Sequence, residues 1–114
     1  MLSPRLTEAL LEFRRERDWE QFHSPRSLSA ALCVEAAELL DHFRWARDGE
    51  SETIVEQHRA EIESEIADVA ILLSYLVHDL GVSLDDAVAK KLELNRAKYP
   101  IEKSKGTSRK YNQI

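Results

Sequence analysis

The sequence predicts an all-α protein, a four-helix bundle that associates into oligomers, and three observations carry that expectation. Apolar residues recur at three- and four-residue spacing along four separate stretches, with no sustained two-residue alternation. Only three Gly and three Pro occur in 114 residues, and every Pro lies near a proposed helix end. At 43% hydrophobic and 32% charged residues, the composition is that of a folded helical chain. Neither a tandem repeat nor a low-complexity run interrupts it, so residues 1–114 read as one domain, with 100–114 as a basic C-terminal tail.

Ser3 followed by Pro4 is a helix-start signal, since the missing Pro N–H costs nothing in the first turn. Leu6, Leu10 and Phe13 then keep helical register to about Asp18. Residues 19–27, WEQFHSPRS, break the pattern and read as a loop. A second helix starts near Ser27, turns Leu28, Leu32 and Leu39 inward and reaches Trp45, with Asp48-Gly49 closing it. A third helix runs from about Glu52 to Leu80, its stripe formed by Ile62, Ile66, Val69, Leu73, Leu76 and Leu80 and its stop by Gly81. At 1.5 Å per residue it spans roughly 40 Å, more than the roughly 34 Å diameter of a compact chain of this size, so a partner subunit is expected to cover its excess. Ser83 and Asp86 fit a capping box that opens a fourth helix through Val88, Leu92 and Asn95, and Pro100 ends it.

Charge and cysteine content narrow the function. Of the net charge of −5, residues 100–114 contribute +3 through Lys103, Lys105, Arg109 and Lys110 against Glu102, leaving −8 on residues 1–99. An acidic body argues against binding a nucleic-acid polymer. Cys33 has no partner for an internal disulfide and reads as a buried spectator thiol in a reducing compartment. No uninterrupted apolar stretch of about 18 residues is present, and the amphipathic N-terminus lacks the form of a secretory signal. The expected location is the cytoplasm, away from membranes.

The chemistry sits in two acidic pairs. Glu35 and Glu38 lie three apart in CVEAAELL, and Glu65 and Asp68 repeat that spacing in SEIADVAILL. Residues at i and i+3 share a helix face, so each pair projects together from an apolar run. If the second and third helices pack antiparallel, the pairs face one another. Four anions so gathered repel by about 3 kcal/mol per pair at 5 Å and an effective dielectric near 20. Against a total stability of about 5–15 kcal/mol, the cluster needs protons or cations. Oxygen-only ligands favour Mg²⁺, Mn²⁺ or Ca²⁺ over zinc. A solvated acidic face is the plainer explanation for either pair alone. A di-iron site would need His at i+3 on two helices, where this chain has Glu38 and Asp68.

This pattern resembles the MazG-like all-α nucleoside triphosphate pyrophosphohydrolases, whose signature is E-x-x-E, a variable spacer, then E-x-x-D. The likeness extends through RDWEQFHSPRSL at 17–28, HFRW at 42–45, KKLELNRAKYP at 90–100 and SRKY at 108–111, nearly the whole chain. It is nearest to the short dCTP pyrophosphatase branch, integron-borne bacterial relatives included. The resemblance implies Mg²⁺-dependent hydrolysis, with Mn²⁺ as substitute, of a (deoxy)nucleoside triphosphate such as dCTP to monophosphate and pyrophosphate, in nucleotide-pool house-cleaning. It implies that Glu35, Glu38, Glu65 and Asp68 bind metal and position water. It gives Trp19, His23 and Trp45 to the base, with Phe22 a lesser choice, and Lys91, Asn95 and Lys98 to phosphate or sugar. It implies a homodimer or a homotetramer built as a dimer of dimers.

Several of these residues also have a plainer explanation. Trp19 and Trp45 would cap bundle ends, Lys91 and Lys98 would be solvated, and His42 would either orient a carboxylate or lie on a helix surface. Arg109, Lys110 and Tyr111 would close over phosphates or, more simply, form a disordered tail. Leu72 departs from the family, many members of which carry tyrosine four residues after the signature aspartate; here Tyr75 comes almost a turn later. The competing function is a non-catalytic helical module for dimerisation or partner binding.

Overall fold

Ser3 opens the first helix: its Oγ accepts the Leu6 backbone N–H at 3.2 Å, Pro4 takes the first helical position, and α1 spans Pro4–Glu16. The computed structural model describes residues 1–114 and contains helices and turns without strands, as the all-α expectation requires. The chain forms two compact units, Met1–Gly81 and Val82–Ile114.

In the first unit, α1 ends two residues earlier than the spacing suggests because Asp18 turns left-handed, with φ 54°. The Asp18 N–H donates to Arg15 O at 3.0 Å and the Trp19 N–H to Arg14 O at 3.1 Å. This is the Schellman arrangement, and its usual apolar clasp is present as Trp19 packing edge-on against Phe13 with ring centroids 5.6 Å apart. A 3₁₀ turn, Glu20–Phe22, follows. Then α2, Pro25–Asp41, starts before Ser27: Ser24 is the cap, its Oγ accepting from the Ser27 N–H at 3.0 Å. It also stops before Trp45, since residues 42–45 form turns.

The long helix α3 spans Ser51–Leu80 and ends at Gly81, whose φ of 63° is one that Gly adopts without strain. It bends at His58, where φ −125° and ψ 27° leave the helical range. The expected stripe is corrected in part. Ile62 is buried, but Ile66 and Leu80 are exposed, and Tyr75 is buried in a place the apolar pattern does not mark. The Tyr75 hydroxyl donates to the Leu10 carbonyl at 3.0 Å, which meets the polar requirement of a buried phenol.

Helix α2 runs antiparallel to α3 and makes the more extensive packing, whereas α1 runs parallel to α3 with a lighter contact. Leu28 on α2 is 2% exposed; burying such a side chain contributes about 1.5–3 kcal/mol. An apolar groove of about 610 Å³ remains between α2 and α3, lined among others by Leu39, Leu40, Phe43, Val55, Ile62 and Ile66. Cys33 is exposed, so its expected burial does not hold: it lies on the outward face of α2, one residue past the half-buried Leu32.

The second unit begins with the predicted cap, Ser83 Oγ accepting the Asp86 N–H at 3.4 Å at the start of α4, Leu84–Lys98. Pro100 then leads into a short fifth helix, α5, Ile101–Ser104, and the chain closes in a 3₁₀ turn, Tyr111–Gln113. The simpler expectation of a disordered tail is thereby overturned. Tyr111 packs edge-on against Tyr99 at 6.2 Å, with Lys98 Nζ 4.9 Å from its ring centroid, so an aromatic clasp ties the chain end to α4. No single helix is long and apolar enough to cross a membrane.

Candidate active site

The antiparallel packing of α2 on α3 brings the two acidic pairs into one electrostatic neighbourhood. A hydrogen bond shared with Glu38 raises the Glu35 carboxyl above its ordinary range, followed by partial burial and the charges of Glu38, Asp68 and Glu65. Glu35, Glu65 and Asp68 are half-buried and Glu38 is exposed. Oε2 of Glu35 and Oε2 of Glu65 are both shielded from solvent without a hydrogen-bond donor. His42 Nε2 lies in close contact with Glu65 Oε2. The His42 ring also lies 5.9 Å from His58, at the bend in α3.

A ready-made coordination cluster is not formed: no three carboxylate, imidazole or thiol side chains are drawn together around one point. The donor set nonetheless fits a hard divalent cation. Shielded anionic oxygens without donors are costly, and a cation with oxygen preference relieves them.

Beside the acids is a cavity of about 310 Å³ lined by Phe13, Trp19, His23, Glu35, Asp68, Ile71, Leu72 and Tyr75. Its chemistry is divided between carboxylates and aromatic or aliphatic side chains. The Schellman turn at Asp18 sets Trp19 there, and the short passage from the 3₁₀ turn to the Ser24 cap sets His23. The His23 imidazole is held below its usual pKa, first by burial and then by the neighbouring Arg14 charge.

Two other residues predicted for the base lie outside this lining. Trp45 is 81% exposed, stacks only with Arg44 at 4.8 Å and does not line this cavity. Phe22 is also exposed and outside the lining. Lys91, Asn95 and Lys98 are exposed along α4 in the second unit. Leu72, singled out as the position of the family tyrosine, does line the cavity, whereas sequence reading missed Phe13 and Ile71 as walls and missed an ion pair behind them. Arg14 Nη1 and Nη2 donate to Asp79 Oδ2 and Oδ1, each at 2.8 Å. The available signal was Arg14 standing four residues after Leu10 on the inward stripe, where a charge requires a partner.

The sequence profile of the MazG-like family matches residues 30–114. The chain belongs to the MazG-like family. Pyrophosphatases of that family generally depend on a divalent metal. This MazG-like chain is 42% identical over 105 residues to dCTP pyrophosphatase 1 from Homo sapiens, covering 90% of this chain and 62% of that protein. The Bos taurus protein of the same name is 40% identical over the same shares. The chain thus spans less than two thirds of the length of these relatives. It also superposes on a crystal structure of a pyrophosphatase from Archaeoglobus fulgidus with a TM-score of 0.80 and 39% identity, over 84% of this chain and 90% of that one.

Proposed function

We propose that this MazG-like protein hydrolyses (deoxy)nucleoside triphosphates, dCTP foremost, to the monophosphate and pyrophosphate with Mg²⁺ as cofactor and Mn²⁺ as substitute. The observation that carries this reading is the cavity in which Trp19, His23 and Phe13 meet Glu35 and Asp68. A base stacks on aromatic faces, while a metal-bound phosphate seeks anionic oxygens, and here the two surfaces adjoin. The names of the relatives, dCTP pyrophosphatase 1 and pyrophosphatase, support the same reading.

Glu35, Glu38, Glu65 and Asp68 would hold the cation on this reading, and His42 steadies Glu65 through the contact of Nε2 with Oε2. The cation supplies neutralising charge and Lewis acidity at the phosphoryl group. Trp19 and His23 orient the base, and Trp45 is given to it by the family likeness. The same likeness gives Lys91, Asn95 and Lys98 to the phosphates or sugar. Residues 1–114 act as a single domain in the cytoplasm, within a homodimer or a dimer-of-dimers tetramer, and the role is nucleotide-pool house-cleaning. The rival reading as a non-catalytic module has the apolar groove in its favour but leaves unexplained the shielded Glu35 Oε2 beside three further carboxylates.

The test is a panel of ribo- and deoxynucleoside triphosphates assayed for pyrophosphate and orthophosphate release, with Mg²⁺ and with a chelator. Metal-dependent pyrophosphate release, greatest for dCTP, is expected. Release of orthophosphate, or no turnover together with no shift in Tm from Mg²⁺ and a nonhydrolysable nucleotide, refutes the proposal.

A further inference from the structure

Arg14 is the one charged residue withdrawn from solvent, at 3% exposure. Asp79 grips the end of its guanidinium with two hydrogen bonds of 2.8 Å, while the buried Nε has no partner. The ring of Tyr75 lies 4.6 Å from the guanidinium carbon, and the Tyr75 hydroxyl is anchored on Leu10 O. So held, Nη1 reaches one further group, His23 Nδ1, at 3.5 Å. The His23 ring in turn lies 5.3 Å from that of Tyr75, on the wall of the cavity that contains Glu35 and Asp68.

A guanidinium only donates. The imidazole nitrogen facing it is therefore an acceptor, and in a neutral ring the proton then resides on the other nitrogen. No protein group takes His23 Nε2: its only polar partner in the protein is Arg14, at Nδ1. Burial and the Arg14 charge favour the neutral ring, against the opposing charges of Asp79 and Glu20.

We propose that the Arg14–Asp79 pair is a positioning device that fixes His23 with its proton on Nε2, so that the cavity offers a hydrogen-bond donor to an acceptor atom on the nucleobase edge and favours cytosine, whose N3 accepts, over uracil and thymine, whose N3–H donates. The inference rests on the nucleotide reading of the site and adds to it a reason for base choice. Donor facing donor leaves two polar groups unpaired in a partly desolvated cavity, and such mismatches discriminate more strongly than a lost apolar contact. In positioning the ring, Asp79 acts through Arg14, and Arg14 through His23.

The test uses the full chain and three readouts. Nitrogen-15 NMR of the wild-type protein reports the His23 tautomer directly and is expected to show Nε2–H at neutral pH. Steady-state kinetics then compare dCTP, dUTP and 3-deaza-dCTP, which has C–H in place of N3, in the wild type and in the double variant R14M/D79L. Replacing both members of a buried pair by apolar groups of similar volume spares the fold the unpaired charge that either single change would leave. The double variant is expected to raise KM for dCTP about five- to tenfold, the worth of one hydrogen bond, and to change KM for dUTP less than twofold. In the wild type 3-deaza-dCTP loses a similar factor, and in the double variant it loses nothing further against dCTP. An Nδ1–H or doubly protonated His23 in the wild type overturns the proposal even if the variant does not fold. So does a double variant that retains its Tm and its preference for dCTP, the outcome of a purely structural pair. Absence of pyrophosphate release from every nucleotide overturns the reading beneath it, and is told apart because the NMR result stands independently.

Discussion

Removing the Trp19 ring measures how much of substrate binding comes from the aromatic end of the cavity. Stacking of a base on an aromatic side chain is worth about 1–3 kcal/mol by alanine substitution. Trp19 does not attain the upper end of that range. It is 43% exposed, and Phe13 already packs edge-on against it at 5.6 Å, remaining in Trp19→Ala as a partial wall. A loss of roughly 1–2 kcal/mol follows, a rise of about five- to thirtyfold in KM. Glu35, Glu38, Glu65 and Asp68 are untouched, so kcat is expected to stay near its wild-type value, the pattern of an interaction made equally in ground and transition states. The assay is initial-rate pyrophosphate release from dCTP over a range of concentrations, with helix content checked by circular dichroism. A KM within twofold of wild type would refute the assignment of this cavity to the base; a fall in kcat at constant KM would place Trp19 in the chemistry instead.

Three further outcomes are expected. Glu38→Gln, which removes the partner that most perturbs Glu35, abolishes pyrophosphate release while circular dichroism retains the helical signal; retained turnover excludes Glu38 from the metal set. Trp45→Ala raises KM and weakens base preference if the family likeness assigns that residue correctly, whereas an unchanged nucleotide profile leaves the exposed indole with no part in binding. The Asp79 carboxyl, lowered from 3.8 to about 2 chiefly by its hydrogen bond from Arg14, stabilises the fold fully above about pH 4 and loses that contribution as pH falls through 2. With the side chain 25% exposed, solvent screening reduces the effect to about 1–2 kcal/mol, and urea titrations between pH 2 and 5 are expected to lose that portion of their slope in Asp79→Asn.

Helical periodicity made the four main helices legible, since Ser3, Ser83 and Gly81 act through local backbone hydrogen bonds that neighbouring residues determine. The acidic pairs were legible for a similar reason: i and i+3 on one helix need no knowledge of the rest of the chain. Their convergence was legible only on condition that α2 and α3 pack antiparallel, a condition the fold meets. What remained hidden depended on contacts between distant segments. Arg14 and Asp79 are 65 positions apart, and nothing local to either names the other. Tyr75 stands outside the expected apolar stripe, and its burial depends on a partner for its hydroxyl that the distant Leu10 carbonyl supplies. The early end of α2 was missed for another reason. HFRW has no strong helix breaker, and the turn there depends on backbone hydrogen bonds such as Phe43 N–H to Leu40 O at 2.8 Å. The ordered chain end escaped notice because a basic run suggests repulsion, whereas Tyr99 and Lys98 hold Tyr111 through ring contacts that charge counting ignores.

The bend at His58 divides the longest helix into pieces of unequal self-sufficiency. Residues 51–57 are fewer than the dozen or so that sustain an isolated helix in water, so that segment keeps its shape by leaning on its half-buried Ile54 and Val55. Beyond the joint, residues 59–80 carry Glu65 and Asp68 on a span long enough to hold its own register. Amide exchange along this element should therefore proceed in two stages, the leading segment surrendering its protons early while the acid-bearing span stays closed.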